Sequence, residues 1–260
     1  MLKKIKIFLL VFFLGLVVSG IIKDKFFDAP QNCLKKTMPL ASKNDINTNV
    51  LMTDKTLVYK MYFWSLIPMG ELHYSTQTGA SDIVFSFEAL TKNSFIEKFI
   101  TAQARVESYF SKEDLLPYKY AERTEVKGKV KQKEVLYDRV NLLSVQGDKK
   151  IKIYPDTYDP IGAFVHMLTL PLEPNKDHNI PFLIGYDMYI FKAKLINTTR
   201  GIDEVSIDMR RQNLTSSHGG RLHVWITSDN KRVPLLFKSW TPVGYASVVL
   251  DKVLIKQKGK

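Results

Sequence analysis

The chain has 260 residues, 45% hydrophobic, 12% aromatic and 25% charged, a globular balance that excludes wholesale disorder, collagen-like repeats and a polytopic membrane protein. Its single cysteine excludes an internal disulfide framework and a thiolate zinc site, which needs several sulfurs. The 38 basic and 26 acidic residues give a formal charge of +12, which favours anionic partners.

Lys3, Lys4 and Lys6 open the chain, and Ile7 to Ile22 is an apolar run broken only by Ser19 among polar residues. A basic start followed by such a run is an export signal, shorter than the roughly 20 residues that span a bilayer comfortably. Val18-Ser19-Gly20 offers small side chains for cleavage, without an A-x-A site. Residues 1–22 are therefore expected as a signal peptide or an uncleaved signal anchor, and everything after them is expected to face outward. That places the protein in the periplasm or on the outer face of the inner membrane. Removing the three lysines lowers the charge from +12 to +9, so the mature chain stays basic. Cys33 follows Pro30-Gln31-Asn32, the wrong residues for lipidation, and reads as a free thiol in a tether over residues 23–54.

From Lys55 the pattern turns to period-two alternation with regularly spaced turn residues. Leu57, Tyr59, Met61 and Phe63 share one face of a first strand, and Ile67-Pro68-Met69-Gly70 is expected to turn the chain into a partner running to Thr78. Ile83, Phe85, Phe87 and Ala89 make the next apolar face. Ser94 with Glu97 resembles a capping box and predicts one short helix. Strands follow over 102–110 and on both sides of a Val126-Lys127-Gly128-Lys129 turn after Leu116-Pro117. Further extended segments cover 134–154, broken near Asn141 and Gly147-Asp148. The best helix runs from Pro160 to Leu170: Asp159 is suited to cap it, Pro160 fits its first position, Ile161, Phe164, Val165 and Leu168 share a face, and Pro171 ends it. Strands resume over 186–195, 204–212, 221–227, 233–240 and 245–255, with a tight turn at Ser228-Asp229-Asn230. About ten strands against two helices, without strand-helix alternation, predict one mainly β, antiparallel, strongly curved sheet or half-barrel over residues 55–256, followed by a tail at 257–260.

Several short motifs stand in order along this pattern. They are Trp64, Pro68 and Gly70; Leu116-Pro117; Asp159-Pro160-Ile161-Gly162-Ala163; and Trp225, Ser228-Asp229, Arg232, Pro234 and Gly244. In these the chain resembles an uncharacterised family of bacterial exported proteins, catalogued as domain of unknown function 3108. The resemblance implies an envelope location and a half-barrel sheet in the manner of the Lol lipoprotein carriers, whose concave apolar face binds acyl chains. It brings no agreed activity, and a shared architecture does not establish a shared ligand.

No catalytic constellation stands out. His73, His166, His178, His218 and His223 lack metal-motif spacing; His218 and His223, five apart around Gly219-Gly220, have no third ligand in sight. There is no G-x-S-x-G elbow and no phosphate loop, and Glu113-Asp114 and Asp203-Glu204 read as solvated loop ends. The expectation is a non-enzymatic protein with no cofactor and no metal. Lys127, Lys129, Lys131 and Lys133 form a basic surface, read as protection of an exposed strand edge or as attraction to lipid head groups and envelope polymers. Export removes nucleic acid as a partner. Aromatic residues fill a core or line a groove, and Tyr59, Phe63, Phe85, Phe87, Phe164, Leu168 and Trp225 are the candidate groove residues. The expected ligand is a lipid or lipid-linked glycan, with the helix from Pro160 as lid or plug. The alternative is a membrane-tethered interaction module with a filled core, docking an inner-membrane or other envelope protein.

Overall fold

The computed structural model describes residues 55–91, 102–212, 221–241 and 244–255. The export signal, the tether with Cys33, the Ser94–Glu97 capping box, His218 and Gly219-Gly220 lie outside the described residues.

Among the described residues fourteen strands form one sheet in the order β8-β7-β6-β5-β4-β3-β2-β1-β14-β13-β12-β11-β10-β9. In chain order these are β1 Lys55–Phe63, β2 Ile67–Thr78, β3 Asp82–Thr91, β4 Ala102–Ser111, β5 Pro117–Val126, β6 Lys129–Asp138, β7 Leu143–Gln146, β8 Lys149–Lys152, β9 Asp177–Ile184, β10 Asp187–Thr199, β11 Ile202–Arg211, β12 Arg221–Thr227, β13 Pro234–Thr241 and β14 Gly244–Ile255. Every ladder between named strands is antiparallel. The mainly β, antiparallel and curved architecture follows the expectation, with fourteen strands in place of about ten. The sheet does not close into a barrel, because β8 and β9 remain its two edges.

The single helix among the described residues, α1 at Pro160–Thr169, carries the chain from one edge to the other. The Gly162 N–H donates to Asp159 Oδ1 at 2.8 Å, Pro160 occupies the first turn, and the Leu170 N–H donates to the Met167 carbonyl at 3.2 Å. Ile161, Phe164, Val165 and Leu168 are buried as their spacing predicts. Gly162, Ala163 and Met167 are buried as well. A helix covered on nearly every side is an interior plug, and its apolar residues join those of the sheet's inner face in one core cluster.

The connection from β8 into α1 also stitches the two edges. The Tyr158 N–H donates to the Pro181 carbonyl and the Leu183 N–H to the Tyr158 carbonyl, both at 2.9 Å. Arg139 fastens the same segment, its guanidinium donating to the carbonyls of Pro117 at 2.6 Å and Thr157 at 2.8 Å. Lys149 at the start of β8 lies over the ring of Tyr186 beyond the end of β9, 4.4 Å from its centre.

Three readings of the sequence are corrected. The first hairpin turns at Trp64-Ser65-Leu66, where Trp64 and Ser65 take φ of 52° and 55°. Pro68 and Gly70 instead flank a bulge, since Tyr62 pairs with Pro68 and Met61 with Gly70. A Cβ on Gly70 would fall 2.0 Å from the Leu90 carbonyl oxygen, so glycine serves close strand approach there. The strand β9 goes unpredicted, because Asp177, His178 and Asn179 are polar and Pro181 interrupts it; proline is tolerated because β9 is an edge. Lys133 leaves the predicted basic surface: Lys127, Lys129 and Lys131 are exposed, whereas Lys133 is half-buried.

Candidate ligand cavity

The inner face of the sheet and α1 border a partly open cavity of about 210 Å³. It exceeds the roughly 150 Å³ of an apolar cavity that takes up benzene, and falls short of the roughly 300 Å³ where drug-sized pockets begin. The space suits one hydrocarbon chain or ring, not the paired chains of a phospholipid.

Its walls differ in chemistry. Phe164 of α1, Phe182, Phe191, Met209, Leu222 and Phe237 supply a hydrocarbon surface. The facing wall comes from β5 and β6, whose alternation sends Tyr120, Glu122 and Thr124 from one strand and Lys133, Val135 and Tyr137 from the next into the same space. Glu122 pairs in register with Lys133, and these two are the charged groups of the lining. Burial lowers the pKa of the Lys133 ammonium, and the Glu122 carboxylate opposes that shift.

Tyr120 and Tyr137 are 9% and 5% exposed. Burial holds both phenols well above their ordinary pKa, with the charges of Glu122 and Asp159 adding to it for Tyr120 and that of Asp159 for Tyr137. Both therefore stay protonated. Among the described residues neither hydroxyl has a hydrogen-bond partner, and neither is sealed into the core. Nearby, the fully buried Asp159 accepts hydrogen bonds from the Ser108 hydroxyl and the Gly162 N–H. Burial raises its pKa to about 6 against these stabilising hydrogen bonds.

The cavity reaches a notch in the sheet. β7 and β8 are four residues each, and β6 pairs with β7 only through Leu136, Tyr137 and Asp138. Among the described residues Lys129 to Val135 consequently have β5 as their strand partner on one side and no strand on the other. Lys133, within this length of β6, and Ile184 and Gly185, at and just beyond the end of β9, all line the cavity.

Of the groove residues predicted from sequence, Phe87 and Phe164 line the cavity. Tyr59, Phe63, Phe85, Leu168 and Trp225 lie elsewhere. Tyr59 is fully buried and donates to the Pro234 carbonyl at 2.9 Å; Phe63 stacks on Trp64 at the hairpin end. Phe85 packs edge-on against Phe110, and Leu168 is core on α1. Trp225 alternates with Val224 and Ile226 along β12 and so faces away from the interior. The polar wall escaped sequence reasoning, although its signal was the period-two spacing of Tyr120, Glu122 and Thr124.

The described histidines are dispersed. His73 contacts Glu71 at 3.2 Å, His223 contacts Glu204 at 2.9 Å, and His166 stacks on Tyr158. Among the described residues no group of three or more His, Cys, Asp or Glu is placed to hold a metal ion.

Fold and cavity together define an open, barrel-like antiparallel sheet plugged by its own helix. The chain belongs to the family described as protein of unknown function DUF3108, whose model matches residues 58–251. A β-barrel-like protein of domain of unknown function DUF1849 from Brucella abortus is similar in structure, with a TM-score of 0.61 at 8% identity over 79% of this chain and 99% of that one. At that identity the likeness concerns the fold alone. A DUF1089 family protein from Pseudomonas aeruginosa matches at a TM-score of 0.36 and 11% identity over 62% of this chain and 86% of that one, too distant to inform the fold. No curated protein matches the chain.

Proposed function

We propose that this protein is an exported, non-enzymatic envelope protein that holds one apolar or amphiphilic chain in the cavity above α1. The observation that carries the reading is the cavity itself: about 210 Å³ left open inside an otherwise continuous core. Interiors are normally packed to crystal-like density, and the same residues with slightly larger side chains would fill the space. Burying a hydrocarbon chain contributes about 0.8 kcal/mol per methylene, so eight or so methylenes supply most of a micromolar affinity. The basic start and apolar run at the N-terminus support export. Catalysis has less support: Ser108 and Asp159 are bonded to each other, with no histidine or lysine joined to them in a hydrogen-bonded relay among the described residues.

Native mass spectrometry of protein purified from its own envelope tests the reading. The expected result is a bound adduct of a few hundred daltons that is displaced by single-chain amphiphiles. Its repeated absence, together with no uptake of a neutral fluorophore such as 1-aminoanthracene, overturns it.

The length of β6 that has no second strand partner among the described residues favours a second reading, docking to another envelope component through exposed Lys129 and Lys131. Replacing both by glutamate would abolish capture of such a component and leave ligand uptake unchanged.

A further inference from the structure

The proposed cavity ligand carries a neutral, hydroxyl-bearing head, and the wall formed by β5 and β6 reads it: we infer that the preferred class is a single-chain amphiphile of the monoacylglycerol type. This rests on the cavity reading above and specifies its chemistry.

The argument begins with unmet hydrogen-bonding capacity. Tyr120 and Tyr137 are buried, line the cavity and find no partner for their hydroxyls among the described residues. Both hydroxyls keep access to the cavity, so a ligand that displaces the water there without offering a polar group would leave each one desolvated at about 1–3 kcal/mol. Two such groups on one wall are readily explained if a ligand hydroxyl completes them. Thr124 adds a third hydroxyl to this wall.

The charges then select among heads. Glu122 and Lys133 face one another across neighbouring strands and both line the cavity. A fatty-acid carboxylate would gain Lys133 but meet Glu122, and a cationic head would meet Lys133. Like charges at close range in a partly desolvated site are penalised more than in water. Neutral hydroxyls escape this conflict, because each donates to the carboxylate and accepts from the ammonium or a phenol. The opposite wall is hydrocarbon from Phe164 to Phe237, and the volume admits one chain.

The test uses the full chain and three ligands of equal chain length: decanoate, 1-decanol and 1-monodecanoylglycerol, each displacing 1-aminoanthracene. Monodecanoylglycerol is expected to bind about tenfold tighter than decanoate. Tyr120→Phe with Tyr137→Phe should erase that advantage, weakening 1-decanol, with its single hydroxyl, less than monodecanoylglycerol with two, and leaving the unliganded melting temperature unchanged or higher. A purely structural role for the phenols predicts the opposite, a lower melting temperature. Glu122→Gln should move the order toward decanoate. If all three ligands bind equally and the variants leave their order intact, the head-group inference fails while the cavity reading stands. If none displaces the reporter, both fail.

Discussion

The two arms of the sheet are built to different standards. In β10 to β12 Ala193, Val205, Ile207, Val224 and Ile226 are each 0% exposed, and the residues these strands turn to the cavity, Phe191, Met209 and Leu222, are all hydrocarbon. In β5 and β6 the equivalent positions are Tyr120, Glu122, Thr124, Lys133 and Tyr137, polar side chains around an open space. One arm supplies cohesion, and the other gives up packing for a place where something else can lie. A protein selected only to fold would fill both sides alike, so the asymmetry is the strongest structural argument for a bound partner.

The comparison breaks most directly by truncating one isoleucine in the closed arm and one at the helix wall of the cavity. Ile207→Ala on β11 should cost about 4 kcal/mol, near the upper part of the range for buried aliphatic truncations. Ile161→Ala in α1, which already borders the void, should cost about half as much, since less packing is lost and alanine favours the helix. Urea denaturation of the two variants checks this, and equal costs would mean that the cavity wall is as tightly packed as its counterpart.

Asp159 sharpens the contrast through pH, because it joins the helix to β4 beside the cavity. Its folded pKa of about 6 lies above the ordinary 3.8, so the folded state binds this proton more tightly than the unfolded state. Stability from this group is therefore greatest below the ordinary value and declines as pH rises through about 6, a span on the order of 3 kcal/mol. Asp159→Asn retains a good cap and should remove that slope. His166 runs the other way, since burial lowers its pKa and its contribution weakens as pH falls. The difference between wild type and the asparagine variant at pH 5 and pH 8 isolates Asp159.

The smallest effect belongs to the seam between the edges. Lys149→Ala removes the cation lying over Tyr186 and should lower stability by about 0.5–1 kcal/mol. Hydrogen exchange near Tyr186 should rise while the β11–β12 amides stay protected; a change confined to β11–β12 would refute the edge contact as a local clasp.

Legibility in the sequence followed the locality of the signal. The α1 boundaries were readable because Asp159, Pro160 and Pro171 act on their immediate neighbours. The Lys127-Gly128 turn was readable for the same reason. Pro68 and Gly70 misled, since a bulge uses the residues of a turn and only the facing Leu90 carbonyl reveals why glycine is required. The cavity wall was unreadable for a different reason. Aromatic size singled out Tyr59, Phe85 and Trp225, but which strands face each other across the interior depends on the sheet order, and Lys133 looked like one more member of a lysine series. Its inward neighbours Val135 and Tyr137 carried the correction only once β5 and β6 had been placed.

The first and last strands meet in the middle of the sheet, with Lys55 opposite Ile255 and Phe63 opposite Ala246. Each half can grow by successive hairpins, yet the halves join only through residues far apart in the chain. Non-local closure of this kind belongs with slow-folding topologies, on the order of milliseconds to seconds. The central ladder cannot form before the 12-residue β14 is in place, so the β1 edge that becomes the seam stays open until then, a span in which a chaperone would have most to protect.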